Sequence, residues 1–131
     1  MIGIIDDDKI FQFTLGRVIN HNKQAERIIT FSDGERAIQY LTDNKAINEN
    51  IPDIIFLDVN MPIMDGWQFM EEYANIKTEI KKKVNIFMWS SSYNPIDIER
   101  ASKICEISGY NIKPIKLEDV KRFFEKFETL L

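Results

Sequence analysis

The stretch from Asp53 to Gly66 reads DIIFLDVNMPIMDG, and it decides the fold of this chain. Its first part, Asp53–Leu57, is a nearly continuous apolar run, which is typical of a parallel strand covered on both faces. The run ends on Asp58, and a loop punctuated by proline and glycine follows. A helix is predicted next, over Trp67–Ile76. A buried strand, a loop and a helix in this order form the repeating unit of α/β proteins.

The same unit recurs on both sides of this stretch. Five strands are predicted, over Ile2–Ile5, Arg27–Phe31, Asp53–Leu57, Val84–Trp89 and Tyr110–Ile112. Five helices are predicted, over Lys9–Asn20, Glu35–Asp43, Trp67–Ile76, Pro95–Glu106 and Leu117–Leu130. The polar segment Asn44–Pro52 is predicted to be a loop, and no role is assigned to it. Because crossovers between parallel strands are right-handed, these units predict an open, doubly wound parallel sheet.

Composition excludes several classes of protein. The chain has 131 residues, of which 44% are hydrophobic, so a single domain over residues 1–131 is expected. A net charge of −4 argues against direct nucleic-acid binding. One cysteine and one histidine exclude an internal disulfide and a metal site of several Cys or His ligands. No apolar run is long enough for a membrane span, and no signal peptide is evident, so a cytoplasmic location is expected.

Reactive side chains follow four of the five predicted strands. They are Asp6, Asp7 and Asp8 after the first strand, Asp58 after the third, Ser90 after the fourth and Lys113 after the fifth. In doubly wound sheets, ligands bind outside the carboxyl ends of the strands. Carboxylates placed together repel unless a cation neutralises them, and Mg²⁺ prefers such oxygen ligands. With a hydroxyl and an ammonium beside them, the set suits phosphoryl transfer, in which Asp58 would form an aspartyl phosphate.

Each of these residues, taken singly, also has an ordinary explanation. The acids of Asp6–Asp8 can cap the first helix, because carboxylates favour helix N-termini. Asp58 and Ser90 can be turn residues, and Lys113 can be a surface lysine before Pro114. The chemical interpretation is favoured because all four positions fall at carboxyl ends of different strands.

On these residues the sequence resembles the response regulator receiver domains of two-component signalling. The resemblance covers essentially the whole chain, and its most specific motif is Asp-x-x-Met-Pro-x-x-Asp-Gly, here Asp58–Gly66. The acidic run Asp6–Asp8, Ser90 and the pair Lys113-Pro114 match as well. The resemblance implies a flavodoxin-like sheet of five parallel strands, in the order 2-1-3-4-5, with five helices.

The resemblance also implies an assignment of roles around Asp58, the phosphoacceptor. Asp7 would bind Mg²⁺ directly, Asp6 would hold a metal-bound water, and the backbone carbonyl of Asn60 would be a further ligand. Lys113 would pair with a phosphoryl oxygen. The following peptide bond, to Pro114, is usually cis in this family.

Ser90 takes the position of the switch hydroxyl, and Tyr110 that of the aromatic residue that swings inward when the hydroxyl moves. An ordinary core aromatic is the alternative for Tyr110. Asn60 and Ser92 stand at positions that tune dephosphorylation, and neither is bulky enough to block an attacking water.

The function implied is a phosphorylation-dependent switch that catalyses only its own phosphorylation and dephosphorylation. A sensor histidine kinase or a histidine phosphotransfer protein would supply the phosphoryl group. The face formed by the fourth helix, the fifth strand and the fifth helix would then bind a downstream protein. The chain would be a single-domain regulator, or a domain of a longer protein, and a monomer or a phosphorylation-dependent dimer.

Three other functions are weighed against this one. A dehalogenase-like phosphohydrolase needs a second Asp two residues after its nucleophile, where this chain has Asn60. A flavin-binding module needs Ser, Thr and Gly donors in its first loop, where this chain has Asp6–Asp8. A degenerate receiver that binds partners without phosphorylation is disfavoured by the complete set of acids, hydroxyl and lysine.

Three remaining features are given ordinary interpretations. The run Lys81–Lys83 is expected to be a solvated connector rather than a nucleic-acid patch. Cys105 is expected to be a buried structural thiol on the fourth helix. His21 is expected to be exposed near a helix end and not to be a phosphotransfer histidine.

Overall fold

A computed structural model describes residues 1–21, 27–91 and 93–114, together with Glu118 and Arg122. Five parallel strands form one sheet in the order β2-β1-β3-β4-β5. The strands are β1 (Ile2–Ile5), β2 (Ile28–Phe31), β3 (Ile54–Asp58), β4 (Asn85–Ser90) and β5 (Ile107–Ile112). The helices are α1 (Lys9–His21), α2 (Gly34–Asn44), α3 (Gly66–Ile76) and α4 (Pro95–Ser102). The predicted flavodoxin-like fold is confirmed.

One predicted helix and two predicted features lie outside this description. The fifth helix, Leu117–Leu130, falls almost entirely outside the described residues, as does Ser92. His21 ends α1, but its side chain is not among the described ones. Within the described part of the chain, no helix is long and apolar enough to cross a membrane.

Local side chains cap α2, α3 and α4, and Asp8 caps α1. Asp33 caps α2 by accepting from a backbone N–H in its first turn, and Asn94 caps α4 in the same way. Asp65 and Gln68 form a reciprocal capping box at the start of α3. Each cap satisfies an N–H group that the helix itself leaves unpaired. The loop after β3 therefore ends at a defined residue, which fixes the path of the chain around Asp58.

The inner strands β1, β3 and, for the most part, β4 are buried on both faces, which explains why they are nearly continuous apolar runs. Successive residues of a strand point to opposite faces, so Ile4 and Phe56 pack with α1 while Ile5 and Leu57 pack with α2 and α3. All four side chains are buried. The packed strands β1 and β3 therefore fix the positions of Asp6 and Asp58 at their carboxyl ends.

Two predicted boundaries near the end of the sheet are wrong. α4 ends at Ser102 rather than at Glu106, and β5 begins at Ile107 rather than at Tyr110. The register of β5 against β4 shifts by one residue around Ser108, so a residue that reads as a turn is accommodated by a bulge. Gly109 fits there because a Cβ would lie 3.1 Å from the ring of Phe87.

The interpretation of Cys105 is also corrected. With α4 ending early, Cys105 lies in the turn before β5 and is exposed. The predicted burial requires the fourth helix to include Cys105, and this helix ends at Ser102.

The predicted loop Asn44–Pro52 contains a short 3₁₀ helix, Asn48–Asn50, and is tied down by side chains. The hydroxyl of Tyr40 donates to the carbonyl of Asn50 at 2.7 Å. Lys82, in the middle of the basic connector, donates to the carbonyl of Ile51 at 2.9 Å, whereas its two lysine neighbours are exposed. The loop therefore covers one end of the core, and the connector is solvated apart from this one lysine.

Gly66 allows the first turn of α3 to lie directly against the end of β3. A Cβ there would lie 2.7 Å from the backbone oxygen of Asp58 and 3.0 Å from Cα of Val59. Both neighbours are backbone atoms, which cannot rotate away. By contrast, a Cβ at Gly16 in α1 would meet nothing within 4 Å.

These two glycines predict opposite effects of the same substitution. Gly66→Ala should lower the free energy of unfolding by about 1–3 kcal/mol, because it forces the backbone of Asp58 to shift. Gly16→Ala should raise it by about 0.5–1 kcal/mol, because alanine favours a helix over glycine. Urea unfolding of both variants measures this, and a Gly66→Ala protein as stable as Gly16→Ala would contradict the observed packing.

Candidate functional site

Two neighbouring strands place acidic side chains side by side at one edge of the sheet. β1 and β3 are paired in parallel with Ile5 opposite Leu57, so Asp6 and Asp58 leave the sheet at the same level. Asp6 and Asp58 are both buried, and Asp7 is exposed next to them. Carboxylate oxygens of the three residues lie within 4.8 Å of one another. The edge thus holds three negative groups at close range.

The three consecutive aspartates after β1 have different surroundings. Asp8 accepts from the backbone N–H groups of Ile10 and Phe11, at 2.9 and 3.2 Å, and so caps α1. Asp6 instead accepts from the N–H of Asp8 at 2.9 Å and points into the cluster. The capping explanation therefore applies to Asp8, whereas Asp6 and Asp7 face Asp58.

Lys113 brings a positive charge to this cluster from the end of β5. Its Nζ donates to Asp6 Oδ2 at 2.7 Å and lies 3.6 Å from Asp58 Oδ1. Its backbone N–H donates to the carbonyl of Ser90 at 2.7 Å, which fixes the loop after β5 against the end of β4. The peptide bond between Lys113 and Pro114 is cis. Lys113 is thus the cation paired with these carboxylates in the part of the chain that the structure describes.

Burial and the neighbouring carboxylate raise the pKa of Asp58 to about 7. Burial disfavours the charged form, and the negative charge of Asp6 acts in the same direction. The ammonium of Lys113 and the N–H of Asn60, which donates to Asp58 Oδ1 at 3.4 Å, oppose this rise. The ammonium of Lys113 alone does not neutralise the three carboxylates, so the cluster favours the binding of a further positive charge.

The other site residues named from the sequence lie around the same edge. Ser90 is fully buried at the end of β4, directly after Trp89, which is paired with Asp58. Asn60 is exposed in the loop after Asp58. Tyr110 lies in the middle of β5 opposite Met88 and packs against the core. Its hydroxyl is buried and has no hydrogen-bond partner among the described residues.

Two residues of α1 support the site and were not found from the sequence. Gln12 is buried, and its amide donates to the carbonyls of Asp6 and Phe31, which joins the ends of β1 and β2. The ring of Phe11 lies under the ammonium of Lys113, 4.2 Å from Nζ to the ring centroid. The sequence carries no signal for Gln12, because an exposed glutamine would look the same. Phe11 lies in the predicted helix Lys9–Asn20, where an apolar residue gives no local sign of a contact with Lys113.

The donor set fits a hard divalent cation. Asp6, Asp7 and Asp58 offer carboxylate oxygens close enough to share one ion, and no sulfur or imidazole ligand is among them. Mg²⁺ prefers such oxygen ligands and keeps some of its waters, which the exposure of Asp7 allows. Burial and the neighbouring carboxylate of Asp6 raise the pKa of Asp58, and a bound cation would offset both effects.

The amino-acid sequence of this chain matches a known protein family. The family model described as "Response regulator receiver domain" matches residues 2–125. The chain belongs to this family. Receiver domains are signalling domains of two-component systems, and they bind Mg²⁺ at an acidic pocket of this kind.

Solved and curated relatives agree with this membership. A two-component response regulator from Cytophaga hutchinsonii has a TM-score of 0.85 and 27% identity, covering 98% of this chain and 96% of that one. Protein MrkE of Klebsiella pneumoniae is 36% identical over 96% of this receiver and 42% of its own length. The probable methanogenesis regulatory protein FilR2 of Methanothrix harundinacea is 23% identical over 98% of this receiver and 81% of its own length. Several other curated relatives are spanned only over 31 to 50% of their length.

The raised pKa of Asp58 predicts how the stability of the metal-free receiver depends on pH. Folded protein keeps the Asp58 proton up to about pH 7, whereas the unfolded chain loses it near the ordinary value of 3.8. Between these values the folded state binds more protons, so this group makes the free energy of unfolding fall as pH rises. Asp58→Asn should remove that fall and should be more stable than the wild type at pH 8.

Urea unfolding at several pH values, in the presence of a chelator, measures this effect. Asp33→Asn is a suitable control, because Asp33 is also buried but caps α2 and lies outside the carboxylate cluster. If the free energies of unfolding of the two variants depend on pH in the same way, the pH dependence of the wild type does not arise from Asp58.

Proposed function

We propose that this receiver is a phosphorylation-dependent switch whose phosphoacceptor is Asp58. The observation that carries the proposal is the placement of the Asp58 carboxylate between two other carboxylates and the ammonium of Lys113. This edge of the sheet combines a nucleophile, oxygen ligands for a cation and a positive side chain. Phosphoryl transfer needs these groups and little else from the protein.

Asp6, Asp7 and Asp58, with the backbone carbonyl of Asn60, would hold Mg²⁺. When bound, the ion neutralises the carboxylates and the charge on the transferred group. Its presence would also lower the pKa of Asp58, so that the carboxylate is ionised and able to attack at neutral pH.

In the transfer step, a carboxylate oxygen of Asp58 attacks the phosphorus of a phosphohistidine on the partner protein. The new P–O bond forms as the P–N bond breaks, and the electron pair returns to the imidazole nitrogen, which takes a proton from solvent. Lys113, already 3.6 Å from Asp58, would pair with a phosphoryl oxygen. That charge-assisted bond stabilises both the transfer and the phosphorylated product.

The switch would pass through Ser90 and Tyr110. A phosphoryl group adds charge and acceptor oxygens, which would draw the Ser90 hydroxyl toward it. The side chain of Tyr110, on the neighbouring strand, would then move into the space released. Its hydroxyl is buried without a partner among the described residues, and such burial costs about 1–3 kcal/mol. A rearrangement that pairs this hydroxyl is therefore favourable.

The change would be read on the surface of α4, β5 and the helix predicted after Pro114. A sensor histidine kinase or a histidine phosphotransfer protein would supply the phosphoryl group, and a downstream protein would bind this surface. We further propose that residues 1–131 act as one receiver unit, as a monomer or a phosphorylation-dependent dimer in the cytoplasm. Beyond its own phosphorylation and dephosphorylation, no catalysis is proposed.

The proposal predicts a single labile phosphoryl group on Asp58. After incubation with Mg²⁺ and acetyl phosphate, intact mass spectrometry should show the mass of one phosphoryl group added to the wild type. The gain should disappear with a chelator or in Asp58→Asn, because the cation sites or the nucleophile are then missing.

Asp8→Asn provides the matched control, since Asn also caps helices and Asp8 takes no part in the cluster. It should be phosphorylated like the wild type. A wild-type protein that gains no mass and shows no Mg²⁺ binding by calorimetry would contradict the switch and favour a phosphate-independent binding module.

A further inference from the structure

Among the described residues, the ammonium of Lys113 has three partners, two of which are carboxylates. It donates to Asp6 at 2.7 Å and lies 3.6 Å from Asp58, while the ring of Phe11 lies under it at 4.2 Å from Nζ to the centroid. The side chain of Lys113 is 16% exposed, so this contact is largely shielded from water. Cation–π attraction gains strength when the cation is desolvated in this way.

We propose that Phe11 is a positioning residue for Lys113 in the phosphoryl-transfer site. Its ring face holds the ammonium at the mouth of the carboxylate cluster, and it lets the ammonium turn from Asp6 toward a phosphoryl group on Asp58. The inference rests on the function proposed above and adds a residue to it.

The geometry of the two kinds of contact carries the argument. A hydrogen bond from Lys113 to Asp6 is directional, so it is lost when the ammonium turns toward a new acceptor. Attraction to a ring face depends on distance from the centroid and tolerates rotation of the ammonium. Lysine is a flexible chain that loses conformational freedom when it is held in place. The contact with the ring is kept while the ammonium turns from Asp6 to the phosphoryl group. It therefore limits the conformations that the Lys113 side chain can adopt during this change.

The ring of Phe11 is itself held by the site. Its centroid lies 6.5 Å from that of Trp89, which is buried and directly precedes Ser90. Its backbone N–H donates to the Asp8 cap at the start of α1. The ring is therefore fixed relative to both β4 and the acidic loop after β1, which are the two elements that Lys113 must stay close to.

A cavity of about 420 Å³ lies beside the ring and is lined by Phe11, Leu15, Val18 and Lys113 among others. Because this cavity already borders the ring, a smaller apolar side chain at position 11 would enlarge an existing space, and its neighbours would not have to move. This allows the contact to be tested by substitution.

The test uses Phe11→Leu, Phe11→Tyr and, as a matched control, Phe13→Leu. Phe13 is an aromatic residue of the same helix, 66% exposed and without contact to Lys113 among the described contacts. Proton NMR of the unphosphorylated protein measures the upfield ring-current shift of the terminal methylene of Lys113. Intact mass against time, with Mg²⁺ and acetyl phosphate, measures the rate of phosphorylation.

Phe11→Leu should lose the ring-current shift and be phosphorylated about threefold to thirtyfold more slowly, the range of a cation–π contact. Phe11→Tyr should keep both the shift and the rate, and Phe13→Leu should match the wild type. A merely structural role for Phe11 would lower thermal stability in Phe11→Leu without slowing phosphorylation of the folded protein. Should Phe11→Leu not fold by circular dichroism, Phe11→Met removes the ring with a flexible apolar chain and takes its place.

Two outcomes overturn the inference in distinguishable ways. If the wild type is phosphorylated and Phe11→Leu has the same rate, Phe11 does not position Lys113, although the proposed function stands. If the wild type is not phosphorylated and does not bind Mg²⁺ by calorimetry, the proposed function fails, and the role of Phe11 fails with it.

Discussion

The charge at the carboxyl ends of β1 and β3 is the constraint on which the site depends. Three carboxylates, from Asp6, Asp7 and Asp58, lie within reach of one another, and Lys113 supplies one ammonium. Grouping like charges in a partly buried place is unfavourable, and the raised pKa of Asp58 is its direct result. The packed sheet maintains the arrangement, and a cation or a proton must complete it.

The fold supplies the rigidity that this charge requires. β1 and β3 are central strands buried on both faces, so the acids that follow them cannot move apart without disturbing both halves of the core. Gly66 brings the start of α3 against the backbone of Asp58, and Gln12 joins the ends of β1 and β2. Relief of the repulsion among these acids by a bound cation would favour the rearrangement proposed for the switch, which needs only a few kcal/mol.

The sequence predicts most of the fold because its inner strands are nearly continuous apolar runs and each of the four described helices has a local cap. It also names the residues at the strand ends, since parallel strands bring their carboxyl ends to one edge. It could not separate Asp8 from Asp6, because adjacent acids look alike until the hydrogen bonds are seen. It misplaced the start of β5, because Ser108 and Gly109 read as a turn and only the ring of Phe87 explains the glycine. Phe11 and Gln12 were missed because their contacts are made with residues distant in sequence or with backbone carbonyls, which no local pattern records.

The most direct test of this account is the pH titration of the Asp58 carboxyl carbon by ¹³C NMR, with a chelator and then with saturating Mg²⁺. We expect a midpoint near pH 7 in the chelator, because burial and Asp6 raise this pKa, and a midpoint lower by about one unit or more with the ion. An ordinary midpoint near 3.8 in the chelator, or a midpoint that Mg²⁺ leaves unchanged, would contradict it.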